Sequence, residues 1–142
     1  MTRVIVGIKN RFAVNTLGAA SIYQAISASG LSTRELVVQN AGNADLAQLE
    51  NGGNNLAPNN GVIATMWGTT NIVNSEAQKL INGSANVGDV NLKNAIRIYG
   101  HLYKAMALGT MAAFWEKVPI DNGENAAYGT RIEALTKAVQ LL

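Results

Sequence analysis

Apolar residues recur at steps of three and four through much of this chain, the spacing that lays side chains on one face of a helix. Phe12, Ala13, Leu17, Ala20, Tyr23 and Ile26 keep that spacing between Asn10 and Ala28, with Gly30 as a stop signal, and predict a first helix. A second is predicted from about Val62 to Asn82. Ile63, Met66, Trp67, Thr70, Val73, Ala77, Leu80 and Ile81 form its apolar face, Asn59 or Asn60 is available as N-cap, and Gly83 stands as C-cap.

The third stretch, LKNAIRIYGHLYKAMALGTMAAFWEKVPI from Leu92 to Ile120, changes character midway. Lys93, Arg97, His101 and Lys104 stack on one face, opposite Ile96, Tyr99, Leu102, Tyr103 and Met106. From Ala105 to Trp115 no charge appears, so this half is expected to be enclosed on every side. Ala105, Gly109, Ala112 and Ala113 would give it a narrow groove for a neighbouring helix, and Val118-Pro119 would end it. The apolar run is about half of the ~20 residues that a bilayer crossing requires. Ile132, Leu135 and Val139 share one face of a fourth helix, which runs to Leu142 without a stop signal. The expected fold is therefore all-α, a single helical domain over residues 1–142 with about four main helices in antiparallel pairs, cut from a longer repeat-like array.

Two β-branched runs interrupt this picture. Val4-Ile5-Val6 reads as a short strand, a loop or a helix extension, and Leu36-Val37-Val38 is its only candidate partner. Between Gln39 and Gly61 the chain is dense in Asn, Gly and Asp, so it is expected to be mostly loop, with one helical turn from Asp45 to Glu50. A second long loop is expected from Glu116 to about Tyr128.

Composition narrows the chemistry. Only 14% of the 142 residues are charged and the formal net charge is +2 with basic residues dispersed, which leaves no electrostatic footprint for nucleic acid. No cysteine is present, which excludes disulfides and thiolate metal sites. His101 is the sole histidine and lies among cations, a setting for a surface residue and not for a metal ligand. Carboxylates are scattered singly. No catalytic residue, metal site or cofactor is expected, and the chain is read as a non-enzyme. The opening residues, MTRVIVGIKNRF, are not a recognisable export signal.

The order of a helix, a long loop, a tryptophan-bearing helix and then IRIYGHLYKAMALGTMAAFWEKVPI resembles the SusD/RagB family of outer-membrane nutrient-binding lipoproteins. That family carries a helix of the pattern GEAxFLRAxAYFxLVxxFGDVPL. Setting Val118-Pro119-Ile120 on its VPL places Lys104-Ala105 on Arg-Ala, Ala107 on the next alanine and Trp115 on the aromatic before the turn. Trp67, with Thr70, Asn71 and Ile72, is similar to a second family helix, and YGTRIEALTKAVQLL to a third. Ile98-Tyr99-Gly100, Gly109 and Glu116-Lys117 depart from the pattern, so the branch would be divergent.

The resemblance covers roughly Thr16 to Leu142, the amino-terminal part of a family member. It implies a tetratricopeptide-like array, localisation at the cell outer membrane, a TonB-dependent transporter barrel as partner, and a glycan or other nutrient as ligand. Sugar sites combine an aromatic platform with planar amides. The candidate ligand-binding residues are accordingly Asn43, Asn54, Asn55, Asn59 and Tyr128, the last being the one aromatic placed in a loop. Trp67 and Trp115 are expected in the core. A helical-repeat module for protein–protein interaction is the alternative reading.

Overall fold

A computed structural model describes residues 2–13, 21–40, 42–123 and 125–142. Among these, six α-helices carry most of the chain: α1 (Thr2–Ala13), α2 (Ser21–Ser32), α3 (Ala44–Asn51), α4 (Gly61–Gly83), α5 (Val90–Phe114) and α6 (Arg131–Leu141). A hairpin of β1 (Lys117–Pro119) and β2 (Tyr128–Thr130) connects α5 to α6. The fold is all-α in class, with this one small sheet.

Polar side chains fix where the long helices begin. Asn60, not Asn59, caps α4: its Oδ1 accepts from the backbone N–H of Val62 at 3.1 Å and of Ile63 at 3.3 Å. Its Nδ2 donates to Asp45 O and to Gln48 Oε1, so one buried amide also ties α3 to α4. Asp89 caps α5 by accepting from Leu92 N at 2.7 Å, and Thr130 with Glu133 forms a capping box on α6.

The two longest helices run antiparallel. Gly100 of α5 lies against Ala77 and Ile81 of α4, Lys104 against Gln78, and Trp115 against Trp67, so residue numbers fall on one helix as they rise on the other. α1 and α2 pack on α4, and α6 packs on the far side of α5. Ala105, Leu108, Met111 and Ala112 of α5 meet Ala134 and Ala138 of α6 with Val118 of β1. A second cluster joins Ile8 and Phe12 to Val73, Leu80, Ile96 and Ala107, and a third joins Ala28 and Leu31 to Leu49, Val62 and Met66.

Of the three readings of Val4-Ile5-Val6 the helical one holds: it lies within α1, where Ile8 and Phe12 supply the buried anchors one and two turns on. Several other expectations are corrected. The expected first helix is represented by the end of α1 and by α2, and its middle, residues 14–20, lies outside the described residues. Gly30 is helical, and Arg34, at φ 63°, makes the turn after α2. Among the described residues Leu36–Val38 pairs with no strand; the Val38 N–H donates to Glu50 Oε2 instead. The Asp45–Glu50 turn is a helix of 8 residues, α3. Gly83 keeps helical φ and leads into a 3₁₀ turn at 84–86, so no left-handed cap is formed.

α5 ends at Phe114, ahead of Val118-Pro119, because Trp115 turns extended and the chain pairs as β1 with β2. The expected loop from Glu116 to Tyr128 therefore contains the hairpin, and Tyr128 opens a strand. The second half of α5 is not enclosed on every side. Met106 and Ala113 are exposed, and Gly109 faces open space; small side chains hide little apolar area, so an uncharged stripe can face water. Lys104, expected on the polar stripe, is 2% exposed, because the chain after β1 returns over this part of α5 and delivers Asp121 to it. On α6 the buried residues are Ala134 and Ala138, whereas Ile132, Leu135 and Val139 are exposed.

Candidate binding cleft

Aromatic and amide side chains converge where α4 meets the β1–β2 connection. The cleft there, about 280 Å³, is lined by Trp67 and Asn71 of α4 together with residues of the connection, including Asp121, Asn122, Asn125 and Tyr128. Trp67 and Asn71 are one helical turn apart, so both face the same way. The hairpin register, Pro119 opposite Tyr128, brings the tyrosine back over α4.

The rings of Trp67 and Tyr128 lie parallel, with centroids 6.3 Å apart and 5° between planes. Trp115 packs edge-on against Trp67 from the core side at 4.9 Å, which holds the indole in place. Tyr128 is 59% exposed. Trp67 is half-buried, so the same ring both packs on the core and lines the cleft.

A buried polar cluster fixes the lower edge of the cleft. The Lys104 ammonium donates to Gln78 Oε1 at 2.6 Å and to Asp121 Oδ1 at 3.2 Å, and Asn74 Nδ2 donates to the Pro119 carbonyl at 3.2 Å. α4 and α5 thus grip the connection at two successive points, Pro119 and Asp121. Asn71, which lines the cleft, donates from Nδ2 to Trp67 O at 2.9 Å, and its side-chain oxygen is a further acceptor on the same amide. Asn122 Nδ2 and Asn74 Oδ1 are buried without a partner among the described residues. Buried polar atoms are seldom left unpaired, so a hydroxyl or water at this spot would find a donor in Asn122.

Chemically, the lining offers a planar apolar surface, uncharged amide donors and acceptors, and one carboxylate already engaged by a lysine. Among the described residues, no group of three or more His, Asp or Glu side chains is placed to hold a metal ion.

Only Tyr128 of the candidates drawn from the sequence lines this cleft. Asn43 is the N-cap of α3, accepting from Leu46 N at 3.2 Å, and borders two other clefts near Tyr23. Asn54, Asn55 and Asn59 are exposed around the 3₁₀ turn at 53–55 and the start of α4. Trp67, Asn71, Asp121, Asn122 and Asn125 were not singled out as ligand contacts. The Trp-x-x-x-Asn spacing on one helix and the DNGEN turn ahead of Tyr128 are the signals that could have found them. Glu124 of that turn lies outside the described residues.

Comparison with protein-family models, with curated proteins and with solved structures returns no match.

Proposed function

We propose that this chain captures a saccharide in the cleft between α4 and the β1–β2 connection. The observation that carries the reading is the parallel Trp67–Tyr128 pair beside Asn71, Asn122 and Asn125. Pyranose rings present an apolar C–H face and equatorial hydroxyls, which such a surface and such amides complement without a formal charge. The resemblance to the SusD/RagB family supports the same ligand class. In that reading the helix pairs α4/α5 and α5/α6 belong to a tetratricopeptide-like array, and the protein hands a glycan to a TonB-dependent transporter at the outer membrane. Binding, with no bond broken, is the whole of the activity.

Tryptophan fluorescence tests it. In Trp115→Phe protein Trp67 is the sole indole, and addition of a neutral oligosaccharide should shift its emission saturably. An emission that stays constant across a panel of hexose, pentose and amino-sugar oligomers would remove the reading.

The alternative, a helical module that binds another protein, is favoured by one feature: Ile132, Leu135 and Val139 of α6 form an exposed apolar face.

A further inference from the structure

A second and larger trough lies between the first half of α5 and the end of α6, about 470 Å³ in volume and lined by Arg97, Ile98, His101, Leu102 and Leu141, among others. That volume is within the ~300–1,000 Å³ typical of small-molecule sites. Its two parts differ in character. Ile98 and Leu102, one turn apart on α5, are 66% and 40% exposed and, with Leu141, give an apolar surface along the trough. Arg97 and His101, also one turn apart, bring a guanidinium and an imidazole alongside it.

Neither the guanidinium nor the imidazole is engaged. Among the described residues the ion pairs are Lys79–Glu76, Lys104–Asp121 and Arg131–Glu116, and no hydrogen bond involves the Arg97 or His101 side chain. No described aspartate or glutamate lines the trough, and Leu142, which also lines it, makes no ion pair with Arg97 through its main-chain carboxylate. An unpaired guanidinium beside an open apolar surface complements a carboxylate joined to a hydrocarbon tail: the planar fork takes the head in two parallel hydrogen bonds, and the tail covers Ile98, Leu102 and Leu141.

We infer that this trough binds a single-chain amphiphile with a carboxylate head, a monomeric fatty acid. The site is separate from the saccharide cleft: the two share no lining residue.

Isothermal titration with dodecanoate below its micellar concentration tests this directly. One site with Kd of ~100 µM or tighter is expected, weakened about tenfold or more by Arg97→Gln and by Leu102→Gln, and unchanged by Arg34→Gln. Dodecyl maltoside, with the same tail and an uncharged head, should bind at least about tenfold more weakly than dodecanoate. Arg97 is exposed on a helix and glutamine is a good helix former, so the variant should fold, which circular dichroism checks; His101→Gln is the second variant at the head. Equal binding of the two amphiphiles, or dodecanoate binding indifferent to Arg97→Gln, would overturn the inference. So would binding to phosphatidylglycerol vesicles that depends on Arg97 while dodecanoate stays unbound, since the groove would then read a membrane surface.

Discussion

Gly100 of α5 sits so close to Ile81 of α4 that a Cβ at position 100 would stand 2.7 Å from the Ile81 side chain, 3.1 Å from the Ala77 carbonyl oxygen and 3.3 Å from the Ile81 nitrogen. Two of these three atoms belong to the α4 backbone, which cannot rotate aside. A methyl group at Gly109, by contrast, meets nothing within 4 Å. Gly100→Ala should therefore destabilise by ~1 to 3 kcal/mol, whereas Gly109→Ala should gain up to about 1 kcal/mol from helix propensity. This reverses the order that an enclosed second half of α5 would demand. Thermal unfolding of the two variants checks it, and equal melting temperatures would mean that α4 and α5 are not in this close approach.

Lys104 is a buried cation with one buried-side partner and one exposed one. Asp121 is 82% exposed, so water screens its share, whereas Gln78 Oε1 faces the ammonium at 2.6 Å from α4. Gln78→Leu should cost ~1 to 3 kcal/mol because it strips an acceptor from a buried charge, and Asp121→Asn should cost less. Lys104→Met, which keeps the stem and removes the charge, should be the mildest of the three. Urea unfolding ranks them. A larger loss for Asp121→Asn than for Gln78→Leu would show that the ion pair dominates.

Thr130 donates its backbone N–H and its hydroxyl to Glu133 at 2.7 and 2.9 Å, and these bonds hold the Glu133 carboxyl below the usual carboxylate range. A depressed folded pKa contributes stability above the unfolded value of about 4.3, and that contribution is lost as pH falls through the folded pKa. Amide protection at the start of α6, measured against the unstructured exchange rate at each pH, should fall on acidification through that window, and Glu133→Gln should abolish the acid dependence while keeping part of the cap. The same acid response in both proteins would assign it to another group.

Ile132 and Val139 are 68% and 73% exposed on α6. Replacing both with lysine should change stability by no more than about 0.5 kcal/mol per site, while reducing any self-association of the chain. Sedimentation velocity over a concentration series measures the second effect; a marked loss of stability would mean that these side chains are packed.

Helix existence was the most legible part of the fold. Met66, Val73, Ala77 and Leu80 declare α4 by period, and an asparagine before the first apolar residue marks its start. What the period could not convey was which neighbour covers each face. The uncharged stripe through Gly109 and Ala113 looked buried because it lacks ions, yet alanine and glycine hide too little area to require cover. Ile132, Leu135 and Val139 do share a face of α6, as their spacing predicts, but that face is exposed, and Ala134 and Ala138, small enough for close helix approach, carry the contact with α5. Lys104 could not be recognised as buried, because its partners Gln78 and Asp121 lie 26 and 17 residues away. The cleft was half visible. Tyr128 stood out as an aromatic near turn residues, but its pairing with Trp67 depends on the short hairpin, whose strands of 3 residues carry no periodic signal.

Saccharide capture at the Trp67–Tyr128 cleft is tested most directly by ¹H–¹⁵N spectra recorded as neutral oligosaccharides are added. The expected result is a saturable shift of the Trp67 indole N–H and of the side-chain amides of Asn71, Asn122 and Asn125. The Kd should be on the order of millimolar, because a cleft with two stacking rings offsets little of the entropy of ordering a flexible sugar. Tyr128→Ala should abolish those shifts while leaving the melting temperature nearly unchanged, since Tyr128 is mostly exposed. Shifts that persist undiminished in Tyr128→Ala protein, or an indole that never moves with any sugar, would contradict the account.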